Sequence, residues 1–206
     1  LPNSQITTKT VFASDETAIA AATGMLNKLI DVRSFLGQFY LTPLFSGLAS
    51  DELTDKTQSL PYSEFYTNQI NTNNTTVLGI WSGAYNIIYE ANAVIEGISL
   101  STSLSPDVKK QLEGEAKFVR AFCHFYLVNL FGDIPLVLTT DYKANSSIAR
   151  SPLSECYTQI ISDLKDAQQL LAETYFNGKR TRPNKWAATA MLARTYLYMK
   201  QYADAE

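Results

Sequence analysis

The sequence has little of what would announce a chemistry. Among 206 residues there is one histidine, His124, and there are two cysteines, Cys123 and Cys156. No zinc site at the usual His and Cys spacings can be assembled from that set, and there is no CxxC pair or disulfide framework. The two cysteines read as small buried hydrophobes, with a disulfide between neighbouring helices as the alternative. Neither sign of charge prevails: 17 Lys and Arg stand against 20 Asp and Glu, a net charge of -3. With no basic excess to neutralise phosphates, a nucleic-acid partner is not expected. The longest greasy stretch, residues 121–138, is broken by His124, Asn129, Gly132, Asp133 and Pro135, so no transmembrane helix is expected. Leu1-Pro2-Asn3-Ser4 lacks the charged and apolar regions of a signal peptide. Gly132-Asp133 reads as a helix stop rather than a phosphate loop. No nucleophile and base stand out together, so neither catalysis nor a cofactor is called for.

What is present is apolar and aromatic. Hydrophobic residues make up 46% of the chain, with 12 Tyr and 10 Phe, enough for a sizeable core. The periodicity is helical. Residues 15–37 open with Asp15 as an N-cap candidate and place Ile19, Ala22, Leu26, Leu29 and Ile30 on one face. Residues 78–98 align Trp81, Tyr85, Ile88, Tyr89, Asn92 and Ile95. Residues 106–131 start at Ser105-Pro106 and end at Gly132, a left-handed C-terminal cap. Residues 152–171 start similarly at Ser151-Pro152, with Tyr157, Ile160, Ile161, Leu164, Ala167 and Leu171 inward. Residues 185–200 follow a possible Asn184 cap. Residues 42–77, with Pro43, Gly47, Pro61 and many Asn, Thr and Ser, read as a loop-rich insertion, and 1–14 as an extended N-terminal segment. A short extended piece is expected after Pro135.

The reading is an all-α fold of antiparallel helix pairs, taken as a single domain over 1–206. With Trp186 at position 1 of a 34-residue tetratricopeptide register, Leu192, Ala193, Tyr196, Tyr202 and Ala205 fall where that repeat wants large and small residues. The second helix of this pair should start near Ala203. A first helix without its mate leaves an apolar face bare, which suggests a fragment of a longer protein.

The segment from Gly114-Glu115-Ala116-Lys117-Phe118-Val119-Arg120-Ala121-Phe122 through Phe131-Gly132-Asp133-Ile134-Pro135-Leu136 resembles the SusD/RagB family of outer-membrane nutrient-binding lipoproteins of Bacteroidetes. Other blocks agree in order: Val11-Phe12 with Ala18 and Ala21, Ser50-Asp51-Glu52, then Trp81, Tyr85, Ala91-Asn92 and Val94-Ile95. Tyr157, Ile160, Asp163-Leu164 and Ala167 follow, and then Arg182 through Ala187 with Leu192-Ala193-Arg194 and Tyr196-Leu197-Tyr198. The resemblance implies a SusD-like α-α superhelix and a non-catalytic surface protein. Such a protein captures oligosaccharides, or peptides, and delivers them to a SusC-like TonB-dependent transporter. It implies localisation at the outer membrane through an N-terminal lipid anchor. The lipidated Cys and the family's C-terminal part are not in this sequence.

Sugars need flat apolar faces for their C–H surfaces and amides or carboxylates for their hydroxyls. The loop after Ser50-Asp51-Glu52 has both. Candidate ligand-binding residues are Asp51, Tyr62, Phe65, Tyr66 and Asn68, with Asn71, Asn73 and Asn74 just beyond. The competing expectation is that the aromatics pin the loop onto the helices. Glu115 and Arg120 are expected in an ion-pair or helix-capping role within the helix stack, rather than as a catalytic acid with a positioning Arg. Trp81 and Trp186 are expected in the core, and His124 half-buried and hydrogen-bonded. Two other functions compete with this reading: a tetratricopeptide adaptor gripping a partner peptide, and a glycosidase using carboxylates such as Asp51, Glu52 and Asp55.

Overall fold

The computed structural model describes residues 8–29 and 42–206. The elements run α1 (Thr8–Val11), α2 (Asp15–Lys28), α3 (Thr42–Ala49), α4 (Tyr62–Tyr66), α5 (Thr75–Leu100), α6 (Pro106–Phe131), β1 (Ile134–Pro135), α7 (Tyr142–Asn145), β2 (Arg150–Ser151), α8 (Leu153–Leu170), α9 (Lys185–Tyr198) and α10 (Tyr202–Ala205). The fold is all-α. A 3-10 turn at Phe176–Gly178 separates α8 from α9. Two compact units emerge from the contacts, one made of residues 1–26 and 87–206, the other of 27–86.

In the first unit α6 packs along α8, α8 along α9, and α10 folds back onto α9. α6 shows why the sequence dictates this. Ser105 is extended and Pro106 takes a first-turn position, where a missing N–H costs nothing. Leu112, Ala116, Val119, Cys123 and Leu127 recur at helical spacing and are buried. At Gly132 φ turns to 72°, and its N–H closes on Val128 O at 3.1 Å. The chain then runs into β1, which pairs antiparallel with β2, Ile134 opposite Ser151 and Pro135 opposite Arg150. The short extended piece expected after Pro135 thus lies earlier, ending at Pro135 itself. The carboxylate of Asp133 accepts from Leu153 N at 3.0 Å and so caps α8 from a distance of twenty residues. Asn184 caps α9 as expected, its Oδ1 accepting from Ala187 N at 3.1 Å.

Several expectations are corrected. The cap of α2 is Ser14, whose Oγ accepts from Thr17 N; Asp15 instead accepts from Ser105 N at 2.9 Å. The buried face of α2 is Ala18, Ala22 and Met25, rotated from the one read from its larger residues. Residues 30–37 of the expected first helix, 38–41, and 1–7 of the expected extended segment lie outside the described residues. Within 8–14 the backbone makes one helical turn, Thr8–Val11. Residues 42–77 are loop-rich as expected, with 50–61 and 67–74 outside any helix, but they also hold α3, α4 and the start of α5, which the sequence pattern does not single out. Trp186 is 54% exposed beneath the Lys185 ammonium, not in the core, and Trp81 is half-buried against Tyr85. α9 is apolar on almost every side, so its pattern could not say which side faces in. His124 is fully buried, and neither ring nitrogen has a hydrogen-bond partner among the described residues. Cys123 and Cys156 are buried and free. No helix of the described residues is long and apolar enough to cross a membrane.

Candidate functional site

The second unit carries the loop singled out from the sequence. α3 begins at Thr42 with Pro43 in its first turn, which a helix tolerates. Phe45 of α3 is buried and holds the next turn of chain. Its ring lies 4.6 Å from that of Phe65 and 5.8 Å from that of Tyr62, the latter nearly parallel. Phe65 is 7% exposed and forms the small core beneath α4. Tyr62 is half-buried and Tyr66 is 38% exposed. Asn68 takes a left-handed φ of 54°, and its Nδ2 donates to Ala49 O at 3.1 Å, tying the end of α4 to the end of α3. Asp51 is exposed, also left-handed, on the turn after α3. The structure thus gathers Tyr62, Phe65, Tyr66 and Asn68 on α4 and its C-terminal turn, with Phe65 facing inward.

The adjoining cavity, about 350 Å³, is lined by Leu60, Pro61, Glu64, Asn71, Asn73, Asn74 and Thr75. Its organiser is Glu64. One oxygen, Oε2, accepts from Asn71 N at 3.3 Å and from Asn74 Nδ2. Asn74 is buried and faces both ways. Its Oδ1 accepts from Thr76 N and Val77 N, capping α5, while its amide reaches Glu64. Asn71 Oδ1 accepts from Asn73 N at 3.0 Å. The result is a shallow bowl with an apolar wall of Leu60 and Pro61 and a rim of amides around one carboxylate, a surface suited to hydroxyl-bearing ligands.

Glu64, Leu60 and Pro61 were missed by sequence reasoning. Asn74-Thr75-Thr76 marks a helix cap in the sequence, but no local signal points from it to Glu64, Leu60 or Pro61, which only the fold brings beside it. Asp55 behaves unlike a catalytic acid. The Thr57 hydroxyl, together with the Thr57 and Gln58 amides, holds its carboxyl below the usual range, whereas a general acid needs it raised. No group of three or more His, Cys, Asp or Glu suited to a metal is found among the described residues.

In the first unit, the ion pairs expected of Glu115 and Arg120 are present and structural. Arg120 grips Asp163 with two bonds of 2.8 and 2.7 Å and donates a third to Asn92 Oδ1 at 2.8 Å. Glu115 is fully buried, faces Arg182 Nε at 3.4 Å, and accepts from Gln111 at 2.8 Å. Burial pushes its carboxyl above the ordinary range against the pull of Arg182 and Gln111.

A family model described as starch-binding and associating with the outer membrane matches residues 3–197. A SusD-like protein of Bacteroides ovatus is 30% identical over 202 residues, covering 95% of this chain and 35% of that protein. SusD-like protein P25 of Formosa agariphila is 25% identical over 207 residues, covering 95% of this chain and 38% of its own. The chain therefore spans little more than a third of the length of these relatives. Among solved structures, a laminarin-binding SusD-like protein superposes with a TM-score of 0.78 at 21% identity, over 92% of this chain and 41% of that one. A SusD superfamily protein from Bacteroides vulgatus gives 0.76 at 26% identity, over 93% and 41%. The chain belongs to the SusD-like family.

Proposed function

We propose that this protein captures oligosaccharides, or peptides, at the outer-membrane surface and passes them to a SusC-like TonB-dependent transporter, without catalysis. The observation that carries the reading is the amide-and-carboxylate bowl beside α4, in a chain that a starch-binding family model covers almost end to end. The laminarin-binding neighbour shares the fold and adds a glucan to the classes worth trying. In this reading Tyr62 and Tyr66 offer rings to the C–H faces of a sugar and Asp51 accepts from its hydroxyls. Phe65 supports the surface from beneath, and Asn68, exposed at the end of α4, ties that helix to α3. The anchor is a lipid on the N-terminus of the mature protein.

A pull-down from native membranes tests the partner: a large TonB-dependent barrel is the expected prey. Soluble partners with no barrel would favour a tetratricopeptide adaptor instead. Calorimetry with maltohexaose and laminarihexaose tests the ligand. Replacing Tyr62 and Tyr66 together by Ala should weaken whichever glucan binds by about tenfold or more, equivalent to about 1.4 kcal/mol. Unchanged affinity would remove both rings from the site.

A further inference from the structure

We infer that the bowl beside α4 takes uncharged glycans and turns away those bearing uronate or sulfate groups. The inference rests on the glycan reading above and sharpens it. Of the residues lining the cavity, Glu64 alone is ionisable. Its partners among the described residues are the Asn71 amide and the Asn74 side chain, neutral donors that orient the carboxylate without cancelling its charge. The surroundings reinforce it. Asp51, Glu52 and Asp55 lie on the same 50–61 loop, and the cations among the described residues of this unit are Lys28 and Lys56, neither of which lines the cavity.

Recognition of an anionic sugar is the task of arginine or lysine, because an acidic group stripped of water needs a cation or several N–H donors in return. Here an incoming carboxylate meets a fixed carboxylate, partly desolvated, within the distance over which salt screens poorly. A neutral sugar meets the opposite situation. Its hydroxyls donate to Glu64 and accept from the amides of Asn71, Asn73 and Asn74, and a hydrogen bond to a charged acceptor is the stronger kind. The same carboxylate that attracts a hydroxyl therefore repels a uronate.

The test uses a matched pair differing only in charge: a neutral glucan, laminarihexaose or maltohexaose, and the same oligomer oxidised at C6 to the uronate. Calorimetry with the purified protein should give at least tenfold weaker binding for the oxidised oligomer at low ionic strength, with most of that gap kept at 0.15 M salt. Glu64→Gln should narrow it. Because that variant loosens the ties to Asn71 and Asn74 as well, Asn73→Lys serves as an independent probe at an exposed rim position. It should make the oxidised oligomer bind at least as tightly as the neutral one. Equal or tighter binding of the oxidised form to the unaltered protein overturns the inference while leaving the glycan reading standing. Binding of neither form removes the glycan reading and this inference with it.

Discussion

His124 sits in the middle of α6 with no exposed surface, and burial, helped by the Arg120 guanidinium, holds its imidazole down to about 3 against an ordinary 6.5. The folded imidazole is therefore neutral. As pH falls below 6.5 the unfolded chain takes up a proton that the folded chain refuses. The contribution of this residue is thus complete above 6.5 and is lost on acidification, at up to about 1.4 kcal/mol per pH unit until the folded group itself titrates. His124→Leu should flatten the fall of stability between roughly pH 6.5 and 4, read from urea midpoints; parallel curves would mean that the buried ring is already charged. Arg182 shows a second residue-scale dependence. It faces Glu115 on α6, donates to Ile19 O and Thr23 Oγ1 on α2, and lies over the Phe176 ring at 4.9 Å. Arg182→Ala strands a buried carboxyl and should cost about 3–5 kcal/mol by chemical denaturation, with Glu115→Gln in that background restoring part of it. A loss below about 1 kcal/mol would mean that solvent reaches Glu115.

Two glycines in helices should respond in opposite directions to the same change. A Cβ on Gly114 of α6 would lie 2.8 Å from Leu171 Cγ, with Leu170 close behind. Gly24 of α2 has nothing within 4 Å of that position. Gly24→Ala should stabilise by about 0.5–1 kcal/mol, the ordinary helix preference. Gly114→Ala should destabilise by about 1–3 kcal/mol, because the end of α8 must back away. Thermal melts of the two variants decide it, and stabilisation by both would mean that the α6–α8 contact is loose. Element by element, the sequence was readable where punctuation and period agreed. α6 begins at a Ser-Pro and stops at a glycine, and the expected span matches the observed one. α3 was hidden because Pro43 and Gly47 look like breakers. Yet Pro43 occupies the first turn, and Gly47 is small because Leu53 folds over it, 3.0 Å from where a Cβ would be. That reason is tertiary and leaves no local trace. The candidate site was half legible for the same cause. Composition marked the aromatic and Asn-rich loop, but only the fold sends Phe65 inward onto Phe45 and turns Glu64 toward Asn74.

At the scale of the molecule, α6, α8 and α9 pack together as a layer in which most side chains of α6 from Leu112 to Val128 are buried. The 50–61 loop of the other unit is mostly exposed. Amides of central α6 should exchange with deuterium only on global unfolding, whereas those of 50–61 should exchange orders of magnitude faster. Comparable protection in both would show that the loop unit is as firmly held as the helices.

The connection between α6 and α8 has a consequence of another kind. Its stretch 137–145 is fastened by two side chains of α5: Asn92 donates to Val137 O and Thr139 O, and the Glu96 carboxylate accepts from the Thr139 hydroxyl and from the amide and hydroxyl of Thr140. Burial alone would raise the Glu96 carboxyl, but those Thr140 and Thr139 bonds outweigh it and hold the group low. The connection is thus not a portable part. Grafted between two helices of another repeat protein it would arrive without its fasteners, so α5 and the 137–145 stretch can be exchanged only together, as one inherited cassette.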